Sequence, residues 1–136
     1  MHVRRRTQHG LTAAAFAALC LLAAACRPAA RQEATLDLAW KVVPEPPRVG
    51  PVRLELTLTD PATRRPAEGA RVRVEANMSH AGMRPVFAAA SEEGGGRYLA
   101  PVELSMAGDW FLLIEADLPD SRIWRGQIDL PGVRPR

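Results

Sequence analysis

The sequence predicts an all-β domain, an immunoglobulin-like antiparallel β-sandwich of about seven strands, and three observations predict it. Apolar and polar residues alternate with period two in several short segments. Turns rich in Gly and Pro separate these segments at intervals of about 10 to 15 residues. No stretch keeps a helical period for longer than a turn. Such strands bury one face only, so two sheets packed face to face are the economical arrangement. The alternation alone does not separate a sandwich from a barrel of similar strand count, and the Cys…Trp…Cys pattern of antibody domains is absent.

The domain does not begin at Met1. Arg4, Arg5 and Arg6 precede an uninterrupted run of small and apolar residues over 11–25, which has the charged and apolar regions of an export signal. The run is shorter than the roughly 20 apolar residues a membrane span needs. It leads into Leu22-Ala23-Ala24-Ala25-Cys26, a lipobox-like pattern in which Cys26 becomes the lipidated first residue. Leu22 stands one place further from the cysteine than the usual pattern puts it. The expected organisation is a lipoprotein signal peptide over 1–25, a tether over 26–35, a β-domain over 36–130 and a frayed tail over 131–136. The product is expected to be exported and to stay on a membrane through its lipid, facing the periplasm or the cell exterior.

In the first expected strand Leu36, Leu38 and Trp40 alternate with Asp37, Ala39 and Lys41, predicting one buried face, and Pro44 to Pro47 stop it. Residues 52–59 hold a faultless period of two, with Val52, Leu54, Leu56 and Leu58 on one side. Asp60-Pro61 opens a turn, since Asp favours its first position and Pro presets the next φ. Strands follow over 71–76, 85–91, 97–104, 110–117 and 123–130. The fourth is made of small residues and ends at Glu92 and three glycines; the sixth is the most apolar and is expected to be central.

Removing the signal decides which chemistry is left. Three of the 18 Lys+Arg leave with it and no acid does, so fifteen bases face fifteen acids. The basic isoelectric point therefore belongs to the signal, and nucleic acid is not an expected partner. Cys20 and Cys26 leave the domain without a disulfide or a reactive thiol. Gly-x-Ser-x-Gly and phosphate-loop patterns are absent, and Glu92-Glu93 adjoins three glycines as an exposed tip would, so an enzyme is not expected.

What remains is concentrated. The domain holds one histidine, His80, and three methionines, Met78, Met83 and Met106, all in two segments, Asn77 to Pro85 and Ser105 to Asp109. If successive strands are antiparallel, every second connection lies at the same end, so these two share one pole. Thioethers with an imidazole select Cu(I), whereas zinc sites use thiolate, imidazole and carboxylate, and calcium or magnesium sites use oxygen. In an extended loop Met78 and His80 project to one side, Gly82 lets Met83 come round, and Asp109 is expected to orient the imidazole. The bland alternative is that the methionines fill irregular core edges, His80 is solvated and Asp109 is a turn residue.

The text Met78-Ser79-His80-Ala81-Gly82-Met83-x-Pro85, then Gly96-Arg97-Tyr98, then Leu104-Ser105-Met106-Ala107-Gly108-Asp109-Trp110, resembles the YtkA-like domain family, which is similar to the FixH proteins. The resemblance covers residues 45 to 130. It implies an immunoglobulin-like sandwich outside the cytoplasmic membrane, linked to copper handling or to the assembly of respiratory oxidases. It also implies Met78, His80, Met83 and Met106 as copper ligands. FixH-type proteins keep an uncleaved transmembrane anchor, whereas this chain ends its apolar segment at a lipobox. The expected function is a lipid-anchored domain that holds or delivers Cu(I) to a copper-accepting or oxidase-assembly protein. The alternative is a metal-free interaction module docking a membrane or respiratory-assembly partner through its loops or an edge strand.

Overall fold

A computed structural model describes residues 30–80 and 82–136. The expected signal sequence and the lipidated Cys26 lie outside the described residues. Eight strands form in chain order: β1 (Asp37–Val43), β2 (Gly50–Thr59), β3 (Arg71–Met78), β4 (Val86–Ala89), β5 (Ser91–Gly94), β6 (Arg97–Leu104), β7 (Gly108–Asp117) and β8 (Ile123–Val133). They make two four-stranded antiparallel sheets, ordered β1-β2-β6-β5 and β4-β3-β7-β8. This is a sandwich, and its strand order is that of an immunoglobulin-type Greek key with one extra edge strand.

The alternation seen in the sequence becomes the core. Val52, Leu54, Leu56 and Leu58 of β2 and Ala100, Val102 and Leu104 of β6 face Val72, Val74 and Ala76 of β3 and Leu112, Ile114 and Ala116 of β7. All are buried, because each strand has a neighbour on both sides and the opposing sheet above it. β7 is central, as its composition predicts. These core residues all fall in the compact unit Arg31–Arg136, which carries the whole described core.

Four expectations are corrected. The run 85–91 is two strands: β4 belongs to one sheet and β5 to the other, with the chain stepping across at Ala90, whose N–H donates to the Val72 carbonyl at 3.0 Å. Small side chains leave room for that step, and their pattern does not reveal it. Trp40 is 43% exposed although it lies on the inward side of β1, because β1 is a sheet edge paired only to β2. The tether is docked from Arg31 onward: Ile123 donates to the Gln32 carbonyl, Ala34 donates to the Ile123 carbonyl, and Ala34 is buried. The frayed tail is absent; β8 runs to Val133, which is buried, and the Arg134 N–H donates to the Pro47 carbonyl at 3.0 Å. In both terminal segments backbone pairing decides the structure, and a Pro/Arg-rich composition does not disclose it.

Tyr98 pins the β2–β3 connection. Its hydroxyl donates to the Ala67 carbonyl at 2.6 Å and accepts from the Ala70 N–H at 3.1 Å, while the ring is buried. Burial pushes its phenol pKa up. Tyr98→Phe should cost about 1–3 kcal/mol, because it leaves two backbone groups without their partner. Chemical denaturation checks this: the midpoint should fall with an unchanged slope.

Outside the core, β3, β7 and β8 carry an ionic row. Arg73 pairs with Glu115 and, at 3.1 Å, with Asp117; Arg125 reaches Glu115 at 3.0 Å. The Arg73 hydrogen bond holds the Glu115 carboxyl below the usual carboxylate range. The stabilisation is therefore present above the ordinary carboxylate pKa and is lost as pH falls through the depressed one.

Candidate metal centre

The two segments that carry thioethers and imidazole meet at one end of the sandwich. β3 and β7 are antiparallel neighbours in which Met78 pairs with Trp110, so the loop after β3 and the loop before β7 leave the sheet side by side. The Ser79 N–H donates to the Asp109 carbonyl at 3.1 Å, and the Trp110 Nε1–H donates to the Met106 carbonyl at 3.0 Å. Trp110 thus stands between the two methionine-bearing segments, its ring buried and its N–H fixing the second loop. The parity of strands survives the extra strand because β4 and β5 run on in one direction across the sheets.

The four candidate ligands are not alike. Met83 is 38% exposed, Met106 is 48% exposed and His80 is exposed, so these three offer donors at the surface. Met78 is 9% exposed and belongs to the rim of the core. Its Cε lies where a Cβ on Gly108 would be only 3.1 Å away, and Gly108 has φ +130°, so only glycine suits that position. The expected projection of Met78 and His80 to one side is not carried through: β3 ends at Met78 and the chain bends at Ser79 and His80, which breaks the period of two. Gly82 does turn the loop, with φ +86°.

Asp109 sits at a β-bulge between Gly108 and Trp110, and its Oδ1 accepts from the Gly132 N–H at 2.8 Å. One oxygen is thereby committed to holding the bend of β8. Among the described residues no group of three or more His, Cys, Asp or Glu side chains is placed to hold a metal. The donors this pole does gather are thioethers and one imidazole, a set that fits soft monovalent copper in kind.

Two further segments reach the same pole, and composition did not point to them. Residues 44–49 and 134–136 are laced together: Val49 donates to the Arg134 carbonyl at 2.8 Å, and Arg136 Nε donates to the Val49 carbonyl at 3.3 Å. Val49, Pro135 and Arg136 of these segments line, with Ser105, Met106 and Ala107, a shallow open basin of about 560 Å³. Met106 is the one candidate ligand that lines it.

The model of the YtkA-like family matches residues 32–115, more than half of the chain and inclusive of both loops. The chain belongs to the YtkA-like family. The matched segment of this YtkA-like protein runs from the docked tether through most of β7 and leaves out β8. No curated protein and no solved structure matches the chain.

Proposed function

We propose that this YtkA-like domain is exported, held at a membrane by lipid on Cys26, and binds Cu(I) through its Met/His pole for storage or delivery. One observation carries the reading: the only histidine and two of the three methionines of the domain fall in two loops, and the third methionine, Met78, ends the strand that leads into the first of them, with the Met78–Trp110 pairing setting these segments side by side. Met83, Met106 and His80 would supply the accessible donors. Met78 would join them by turning its thioether from beneath Gly108 toward the rim, a movement open to an unbranched, flexible side chain that gives up part of its core packing. A thioether site also suits an oxidising compartment, where thiols would pair into disulfides.

The tether enters at the opposite end. Arg31 binds Asp117 at 2.6 Å, at the end of β7 remote from the Met/His pole.

Only neutral imidazole binds a metal, so acid should weaken Cu(I) binding through competition with protons for a His80 ligand. Competition titrations against a Cu(I) chelator at several pH values, compared between wild type and His80→Ala, test this. A wild-type profile as flat as that of the variant would remove His80 from the site.

A further inference from the structure

The charges at the two ends of the sandwich are distributed unequally. The connections 44–49, 79–85 and 105–107, with residues 134–136, carry Arg48, Arg84, Arg134 and Arg136 against a single acid, Glu45. At the other end, the connections 60–70 and 118–122 carry Arg64, Arg65 and Arg122 against Asp60, Glu68 and Asp120, a balanced set. The ion pairs of the described residues involve Arg31, Arg53, Arg73, Arg122 and Arg125, so none of the four arginines at the Met/His pole has a carboxylate partner. Asp109, at the base of that pole, already accepts from the Gly132 N–H.

Two of these arginines are held in place. Arg48 donates to the Pro135 carbonyl at 3.3 Å and Arg136, which lines the Met106 basin, donates to the Val49 carbonyl at 3.3 Å; each keeps further guanidinium N–H groups free. Fixing a side chain in advance removes part of the entropy a partner must overcome.

We infer that the Met/His pole is a docking surface for an acidic protein partner. Four unpaired guanidiniums on three separate segments match a carboxylate-bearing surface, and each Arg–carboxylate contact is directional and charge-assisted. A single small anion would call for convergence on one point, and the four are distributed over two loops and the C-terminal segment. An anionic membrane is the poorer match, since the chain enters the domain at the opposite end. The positive pole also accelerates encounter with an acidic partner by long-range attraction, an effect that salt suppresses. The inference rests on charge and needs no bound metal, so it survives or fails independently of copper binding.

The test uses the metal-free full chain and a deca-glutamate peptide, followed by backbone chemical shifts. Shifts should cluster on residues 44–49, 79–85, 105–107 and 134–136, and affinity should drop at least about tenfold between roughly 0.01 M and 0.15 M salt. The Arg48→Glu/Arg134→Glu/Arg136→Glu protein should bind at least about tenfold more weakly. Arg64→Glu/Arg65→Glu, at the other end, should bind as wild type does. Because the triple variant removes contacts of the C-terminal segment, Arg84→Glu provides a separate test on a loop with no such role; it should weaken binding severalfold. Equal losses in the Arg64/Arg65 variant, shifts dispersed over both ends, or displacement of the peptide by equimolar inorganic phosphate or by anionic vesicles would overturn the inference.

Discussion

Gly96→Ala is expected to lower stability by about 3 kcal/mol, and the melting temperature by about 15 °C. Gly96 has φ +71°, and a Cβ there would lie 2.6 Å from the Leu58 carbonyl oxygen and 2.8 Å from Pro66 Cβ. The first obstacle is backbone and cannot swing aside. Its own carbonyl accepts from the Leu58 N–H at 2.9 Å, and the Leu58 carbonyl accepts from Ala67, so three segments lean on this point. Gly95 beside it also has a positive φ, yet nothing lies within 4 Å of its Cβ position. Gly95→Ala should therefore cost only the conformational part, about 1 kcal/mol. Calorimetry of the pair separates the two causes, and equal losses would show that crowding at Gly96 is relieved elsewhere.

Met78→Ala and Met106→Ala should diverge in one measurement and agree in another. Met78 is buried at the core rim, so its truncation should cost about 2–3 kcal/mol of stability. Met106 is 48% exposed, and its truncation should change stability by less than about 0.5 kcal/mol. If both are copper ligands, each variant should lose at least about tenfold in Cu(I) affinity, measured on folded protein. A Met106→Ala protein that binds copper as wild type does would leave Met106 as a surface side chain. A Met78→Ala protein that loses stability but no affinity would leave Met78 as core alone, with the metal held by His80, Met83 and Met106.

Much of the fold was legible because burial in a sandwich imposes a period of two on each strand. Val52 to Leu58 and Val72 to Ala76 show it directly. Legibility failed where backbone pairing rather than side-chain pattern decides the outcome. The sheet switch at Ala90, the pairing of residues 32–34 with Ile123 and the lacing of 134–136 to 47–49 leave no trace in hydrophobic alternation. Trp40 misled for a related reason: its face was right, but β1 is an edge, and edge residues lack cover.

The pole was legible through strand parity, which depends only on how often the chain reverses. Its details were not. That Trp110 Nε1 would hold the Met106 carbonyl, and that Gly108 would be required above Met78, follow from close approach in three dimensions. A Trp flanked by a glycine two residues earlier was the available sign, since a buried indole N–H needs an acceptor. The arginine rim was hidden because residues 131–136 read as a loose tail, so Arg134 and Arg136 were not assigned to any surface.

The central claim is that the two loops together form one copper site. Titrating the purified domain with Cu(I) in the presence of a competing chelator tests it most directly. One Cu(I) per chain, with affinity reduced both by His80→Ala on the first loop and by Met106→Ala on the second, is the predicted result. Stoichiometry well below one, or an affinity that neither substitution changes, would contradict it.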